Sequence, residues 1–126
     1  MKSSDFRKLQ VWQKAMLLTT EIYSLVKFLP REETYALSDQ MRRAAVSIPS
    51  NIAEGQGRNS KKEFTQFIAV ARGSLWELST QLELCGRINY LSPSQRANAE
   101  ELISEIGRML NALANSIQST GSNDSN

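Results

Sequence analysis

Apolar residues recur at steps of three and four along four separate segments of the chain, and this spacing places them on one face of an α-helix. The first segment carries two such series side by side, which indicates a helix with a broad apolar face. It is predicted to cover residues 6–28 and to stop before Pro30, because a proline ring disfavours helical geometry in the residue before it. The two series are Leu9, Trp12, Met16, Thr19, Tyr23 and Val26, and beside them Val11, Ala15, Leu18, Ile22, Leu25 and Leu29.

The second segment has the same spacing but contains a proline. Pro49 removes one backbone hydrogen bond at a cost of about 3 kcal/mol, so a helix over residues 33–54 is predicted to be kinked there. Gly55 and Gly57 follow it and are expected to take the left-handed conformation that ends helices. The apolar positions are Leu37, Met41, Ala44, Ala45, Ile48 and Ile52.

The third and fourth segments begin with clear start signals. Ser60 and Glu63 form a capping box, from which a helix of about 30 residues, roughly 45 Å long, is predicted to reach residue 89. Ser92, Pro93 and Gln95 combine a serine cap with a proline at the first helical position. The apolar positions are Phe64, Phe67, Ile68, Ala71, Leu75, Leu78, Leu82 and Cys85 in the third helix, and Leu102, Ile106, Met109, Leu110, Leu113 and Ile117 in the fourth.

Four amphipathic helices with short connections can bury their apolar faces only against each other. The sequence therefore predicts an all-α, antiparallel up-down-up-down four-helix bundle over residues 1–118, with a disordered tail over residues 119–126 that has no apolar residue. Some apolar residues of the third helix lie off its main stripe, and a surplus of this kind favours a homo-oligomer. These surplus residues are Val70, Trp76, Leu84 and Ile88.

The chain contains no histidine, and this absence narrows its chemistry. Without imidazole there is no Ser-His or Cys-His pair and none of the usual imidazole metal ligands. Glu100, Glu101 and Glu105 are interpreted as the solvated face of the last helix, and the glycines around residue 56 lack the ending of a phosphate-binding loop. We therefore expect a protein that is not an enzyme, with no catalytic residues, no metal site and no cofactor.

The cellular location follows from two further patterns. No stretch approaches the roughly 18 apolar residues of a membrane span, and the opening residues lack the apolar core of a signal peptide. Cys85 is the only cysteine, which suits a reducing compartment, and its apolar neighbours indicate a buried filler rather than a reactive thiol. These patterns predict a cytoplasmic protein without membrane association.

Basic residues are concentrated in the first half of the chain. Residues 1–62 carry 11 Lys and Arg against 6 Asp and Glu, whereas residues 63–126 carry 4 against 7. This asymmetry is consistent with solvated helix faces, with an anionic partner for the first half, or with self-association between unlike faces. The candidate nucleic-acid-binding residues are Arg42, Arg43, Arg58, Lys61 and Lys62, which could neutralise backbone phosphates of RNA or DNA.

The run RRAAVSIPSNIAEG over residues 42–55, followed by Arg58, resembles the signature of a bacterial protein family. The family is that of the four-helix bundle proteins encoded in intervening sequences of 23S ribosomal RNA genes. Supporting matches are FRKLQVW at residues 6–12 and, within residues 64–78, the spaced elements F-x-x-FI, ARGS and EL. The resemblance spans about residues 5–117 and includes a proline within a helix.

This resemblance implies a bundle and an oligomer more clearly than a biochemical role. Members are similar to the accessory protein of diversity-generating retroelements, which forms a pentameric ring with a basic surface and binds nucleic acid and a reverse transcriptase. The resemblance thus implies a homo-oligomer, by analogy a pentamer, with RNA, DNA or protein as its partner. The nearly neutral net charge of +2 departs from this pattern and argues against strong nonspecific RNA binding.

The motif residues are interpreted as structural. Pro49 is expected to bend its helix, and Ser47 and Asn51 to satisfy the backbone groups that it frees. Glu54 is expected to pair with Arg58 or Arg43 beside Gly55. Further along the motif, Gly73 and Ser74 would allow close helix approach, and Glu77 would be a polar anchor.

Two functional hypotheses follow from these patterns. The first is an oligomeric, RNA-binding adaptor that uses the basic residues. The alternative is a protein-binding scaffold, or an accessory subunit for a neighbouring protein such as a reverse transcriptase.

Overall fold

The computed structural model describes the backbone of residues 5–124 and the side chains of residues 5–119. Within that range the chain forms four α-helices: α1 Gln10–Leu25, α2 Leu37–Gln56, α3 Lys61–Arg87 and α4 Pro93–Asp124. Short 3-10 helices lie at Phe6–Lys8, Val26–Phe28 and Arg31–Glu33. The predicted helix over residues 6–28 is therefore divided into three parts, because the extended backbone of Leu9 separates the first turn from α1 and the chain tightens to a 3-10 turn after Leu25.

The helices pack in a closed ring in which α1 contacts α2 and α4, and α3 contacts α2 and α4. The connections after α2 and α3 span residues 57–60 and 88–92, and such short connections require antiparallel neighbours. The predicted all-α four-helix bundle is confirmed. Its core is formed by the buried apolar stripes of all four helices, including Leu18, Ile22, Met41, Ile48, Ile52, Ile68, Leu75, Leu78, Leu82, Ile106 and Leu110.

The predicted helix starts of α3 and α4 are observed. The Ser60 hydroxyl accepts a hydrogen bond from the Glu63 amide at 3.2 Å. At the start of α4 the box is reciprocal: the Ser92 hydroxyl accepts from the Gln95 amide at 3.2 Å, and the Gln95 side-chain oxygen accepts from the Ser92 amide at 2.8 Å. These side chains satisfy amides that the first helical turn leaves without partners.

Pro49 lies inside α2, and the carbonyl that it deprives of a partner belongs to Ala45. From the sequence we expected Ser47 and Asn51 to satisfy the backbone groups that Pro49 frees. In the structure the donor to the Ala45 carbonyl is instead Thr19 of α1, whose hydroxyl lies 3.1 Å from the Ala45 oxygen. Asn51 instead donates to the Ser47 carbonyl at 2.7 Å and to its hydroxyl at 2.9 Å. The bend of α2 at Pro49 stays a prediction.

The glycines that follow Pro49 do not end α2 in the expected way. No glycine among residues 5–124 has a positive φ, and the left-handed residue of this range is Asn89, just after α3. Gly55 lies within α2, where an added Cβ would be 2.9 Å from both Phe64 Cδ1 and Phe67 Cβ. The prediction of left-handed glycines was therefore wrong at Gly55 and Gly57, and close packing of α2 on α3 explains the glycine at position 55.

The last helix extends beyond its last buried residue, Ile117. Its backbone is helical to Asp124, whereas the sequence led us to expect disorder from residue 119 onward. Extending an existing helix needs no new nucleation, so polar residues can prolong it without a core contact. Residues 125 and 126 lie outside the described residues, and the domain boundary at residue 118 stays a prediction. Over residues 5–124, none of the helices combines the length and apolar character that a membrane span requires.

Candidate nucleic-acid interface

The five candidate basic residues fall into two groups at opposite ends of α2. Arg42 and Arg43 lie near its start, whereas Arg58 follows its end and Lys61 and Lys62 open α3. At 1.5 Å per helical residue, Arg42 and Arg58 are separated by about 24 Å along the axis. The structure therefore does not gather the five residues into one patch. We call Arg58, Lys61 and Lys62 the turn group.

The two arginines near the start of α2 have different environments. Arg43 is exposed and its Nε donates to Asp39 Oδ2 at 2.9 Å. Arg42 is largely covered, with 27% of its side chain exposed, and its Nη2 donates to the Thr34 carbonyl at 3.2 Å. Asp39 Oδ1 is 3.9 Å from the same nitrogen. Arg42 is thus built into the connection between α1 and α2, and Arg43 is a surface residue.

Within the turn group, Arg58 contacts Glu54 and Phe67. Its Nη2 donates to Glu54 Oε2 at 2.7 Å, and its guanidinium lies 4.9 Å from the centre of the Phe67 ring. The expected pairing of Glu54 is therefore made with Arg58 and not with Arg43. A half-exposed ion pair contributes at most about 1 kcal/mol, so these contacts orient the guanidinium more than they stabilise the bundle.

Lys61 and Lys62 occupy the first turn of α3. They line a shallow surface depression together with Thr65, Gln66, Ile117 and Gln118. Glu63 lies in the same turn, so the two lysines leave one net positive charge there. This charge adds to the positive end of the helix dipole and favours anions.

The remaining motif residues join α2 to α3 or lie on the surface. The Ser47 and Ser74 hydroxyls are 2.8 Å apart, so Ser74 does mark a close approach of these helices. Gly73 does not, because an added Cβ there would have no heavy atom within 4 Å. Glu77 is exposed and accepts a hydrogen bond of 3.4 Å from the buried Gln81 amide.

A third basic grouping was missed by the sequence analysis. An open cleft of about 530 Å³ lies between the end of α1 and the start of α2, and Lys27, Arg31 and Arg42 all line it. The other lining residues are Tyr23, Val26, Leu29, Thr34 and Ser38, none of which is acidic. We call this the α1–α2 cleft. Lys27 and Arg31 flank Pro30, and their separation from Arg42 along the chain concealed the grouping.

Part of the surface of α3 is apolar and uncovered. Val70, Leu84 and Ile88 are each about half exposed. At about 100° per residue they lie within about 40° of one direction, and Gly73 and Glu77 fall on the same side. We call these five residues the α3 stripe. Trp76, also half exposed, lies on another side, in a groove with Ile103 and Gly107 of α4.

Two titratable side chains have raised pKa values for different reasons: Cys85 is buried, and Tyr90 is hydrogen-bonded to a carboxylate. Burial raises the pKa of the Cys85 thiol, which lies 3.7 Å from the Met41 sulfur in the core. The Tyr90 hydroxyl donates to Glu33 Oε2 at 2.8 Å, and this hydrogen bond raises the pKa of Tyr90. No group of three or more metal-ligating side chains occurs in the part of the chain that the structure describes.

Comparisons with known proteins agree with the resemblance seen in the sequence. The family model described as 23S rRNA-intervening sequence protein matches residues 7–112. A crystal structure from Bacteroides thetaiotaomicron, described as a protein of unknown function from the S23 ribosomal protein family, superposes with a TM-score of 0.77 at 28% sequence identity. The match covers 82% of this chain and 97% of that one. Curated proteins gave no significant match. With most of its length matched by the family model, the chain belongs to the 23S rRNA-intervening sequence protein family.

Proposed function

We propose that this protein is a non-enzymatic, oligomeric adaptor that associates with RNA in the cytoplasm. The observation that carries the proposal is the turn group, in which Arg58, Lys61 and Lys62 converge at one end of the bundle beside the N-terminus of α3. Arg58 is oriented by Glu54 and Phe67, so less conformational freedom is lost when it meets a phosphate. Arg43, exposed at the other end of α2, adds a second contact point.

A single bundle offers few phosphate contacts, so the proposal needs repetition of the turn group. Linked sites bind with an avidity well above that of one site when their geometry allows simultaneous contact. We propose that copies of the chain assemble through the α3 stripe, with a pentamer as the expected ring by resemblance. A nearly neutral protomer would then bind RNA mainly through the local density of its basic residues.

Gly73 is the strongest support for an interface on the α3 stripe. A glycine inside an exposed helix costs about 1 kcal/mol relative to alanine, and nothing within the bundle needs the space above Gly73. The backbone of a second copy of the chain, packed closely against Gly73, would explain the glycine at this position. The neighbouring Val70, Leu84 and Ile88 would supply the apolar area for such a contact.

The non-enzymatic part of the proposal rests on the composition and on the buried thiol. The chain has no histidine to act as a general base near neutral pH. Burial keeps the Cys85 thiol from solvent and raises its pKa, which disfavours the reactive thiolate.

A second candidate function is favoured by Trp76. Its half-exposed ring borders the groove between α3 and α4, and exposed tryptophans are enriched among residues that anchor protein interfaces. In this version the bundle is a scaffold or accessory subunit whose partner is another polypeptide, such as a reverse transcriptase. Partner proteins recovered by pull-down from the native organism would survive nuclease treatment in this version and disappear in the RNA-bridged one.

Titration of a structured RNA at several salt concentrations tests the first function. Affinity for RNA decreases as salt increases, and we expect the plot of log affinity against log salt to become shallower by about 1 unit of slope for each phosphate contact removed. The variant Arg58→Ala/Lys61→Ala/Lys62→Ala should bind more weakly with a shallower slope. The matched control is Lys8→Ala/Arg87→Ala/Arg108→Ala, which removes the same charge elsewhere. Absence of binding at low salt, or equal losses in both variants, would reject the proposal.

Sedimentation of stripe variants tests the assembly. Leu84→Glu should dissociate the oligomer because it buries a carboxylate in an apolar contact. Leu17→Glu on α1, at a residue of similar exposure, is the control and should leave the assembly intact. A monomeric wild-type protein would exclude the assembly, and an intact Leu84→Glu oligomer would exclude this interface.

A further inference from the structure

The α1–α2 cleft combines three cations with little compensation by protein groups. Among residues 5–119, neither Lys27 nor Arg31 forms an ion pair or a side-chain hydrogen bond, although both line the cleft. Asp39 is 2.9 Å from Arg43, and Glu33 accepts hydrogen bonds from the Tyr90 hydroxyl and the Leu37 amide. Neither these two carboxylates nor Glu32, which follows Arg31 in the chain, are among the residues that line the cleft. The lining therefore carries three positive charges and no negative one.

Arg42 is positioned with donors to spare. Its contacts with Thr34 and Asp39 both involve Nη2, and in the described part of the chain no acceptor is bonded to its Nε or Nη1 hydrogens. A guanidinium has five donor hydrogens in a fixed planar arrangement that matches the oxygens of a phosphate. Because most of the side chain is covered, an incoming anion would meet an oriented group rather than a freely rotating one.

Ser38 adds a hydroxyl donor to the cleft. The residue is only 3% exposed, but its side chain lines the cleft and makes no side-chain hydrogen bond among the described residues. Its hydroxyl is reached from the cleft, because the fully buried side-chain polar atom without a partner in this range is Gln81 Oε1 and not the Ser38 oxygen. A ligand oxygen in the cleft can therefore accept a hydrogen bond from Ser38 in place of water.

We propose that the α1–α2 cleft binds a phosphate group of a small ester, of the size of a mononucleotide. Lys27, Arg31 and Arg42 neutralise the phosphate, whose charge near pH 7 is about −1.5 to −2, and Ser38 donates a hydrogen bond to it. A bare phosphate would leave much of a 530 Å³ cleft empty, whereas the half-exposed ring of Tyr23 and the side chain of Val26 border space for an organic group. The proposal is independent of RNA binding by the turn group, which lies at the other end of α2.

Amide chemical shifts of the isotope-labelled, full-length protein provide the test, with inorganic phosphate and adenosine monophosphate as separate probes. We expect saturable shifts confined to residues around the cleft and tighter binding of the nucleotide. Lys27→Met and Arg42→Met should each weaken binding by about tenfold or more, because each removes a charge-assisted hydrogen bond. Ser38→Ala should weaken it by a smaller factor.

The control is Lys8→Met, which removes an exposed lysine beyond the other end of α1 and should leave the affinity unchanged. Lys27 is exposed, so its replacement reports on binding even if Arg42→Met fails to fold. Failure of both probes to give saturable shifts, or equal losses in Lys27→Met and Lys8→Met, would overturn the proposal.

A competition experiment identifies the source of the phosphate. If an RNA oligomer with a 5′-phosphate displaces adenosine monophosphate and the unphosphorylated oligomer does not, the phosphate belongs to an RNA end. If neither oligomer competes, the ligand is a free phosphate ester, and both results support the site. The change of all three turn-group residues to alanine separates this proposal from the function proposed above, because it should weaken RNA binding and leave the binding of adenosine monophosphate in the cleft unaffected.

Discussion

The hydroxyl of Thr19 on α1 lies 3.1 Å from the carbonyl oxygen of Ala45 on α2, the carbonyl that Pro49 leaves without its helical donor. The same hydroxyl lies 2.8 Å from the Ala15 carbonyl, so one hydrogen is shared between the two helices. A proline within α2 is thus accommodated by a side chain of the neighbouring helix.

Replacement of Thr19 by valine should therefore destabilise the bundle by about 1 to 3 kcal/mol, the usual cost of leaving a buried acceptor without a partner. The measurement is urea unfolding. In a Pro49→Ala background the loss should be smaller, because the restored amide of residue 49 can bond to Ala45. Thr20→Val is the control, since the Thr20 hydroxyl bonds only to Leu17 on the exposed side of α1. Equal losses in both backgrounds would contradict the proposed role of Thr19.

Gly55→Ala and Gly73→Ala should have opposite effects on the free energy of unfolding of the isolated bundle. At Gly55 the new methyl would be 2.9 Å from Phe64 and Phe67, and such overpacking costs about 1 to 3 kcal/mol. At Gly73 the methyl meets open space, so higher helix propensity should stabilise the bundle by about 0.5 to 1 kcal/mol. Urea unfolding at low protein concentration measures both, and destabilisation by Gly73→Ala there would show that our assignment of open space is wrong.

Pro49→Ala should weaken assembly even though it raises helicity. If Pro49 bends α2, an alanine there straightens the helix and moves Arg42 and Arg43 relative to Arg58, and the surfaces that meet in the oligomer shift with them. Circular dichroism measures the helicity and sedimentation measures the assembly. An oligomer of unchanged size and stability would mean that Pro49 is incidental to the architecture.

Stability should fall at alkaline pH in part through Tyr90. Its hydrogen bond to Glu33 raises the pKa of Tyr90 in the folded state, so the folded protein holds this proton more firmly than the unfolded chain. The contribution is complete below the ordinary tyrosine pKa of about 10, and it is lost as the pH rises through the raised pKa. Unfolding free energies from pH 8 to 11 test this. Tyr90→Phe should reduce the loss of unfolding free energy over this pH range. An identical pH profile in that variant would refute the contribution of Tyr90. The Cys85 thiol, whose pKa is also raised, remains in both proteins.

Local sequence patterns determined most of the fold. Apolar spacing identified the four helices, Ser60 and Ser92 marked two of their starts, and the motif around Pro49 identified the family. These features depend on residues within a few positions of each other, where helical geometry fixes which side chains share a face. The helical backbone beyond residue 118 was not foreseen, because composition cannot indicate how far an existing helix continues.

Only the tertiary structure decided the relations between residues that are distant in sequence. Thr19 meets Ala45 across 26 positions, Ser47 meets Ser74 across 27, and Gly55 is required by Phe67 of the next helix. The candidate site changed for the same reason: Arg42 and Arg58 share a motif but lie at opposite ends of α2, and Arg42 joins Lys27 and Arg31 in the α1–α2 cleft. Helical periodicity specifies the direction of a side chain around its own axis, but only the packing of one helix against another specifies what that side chain contacts.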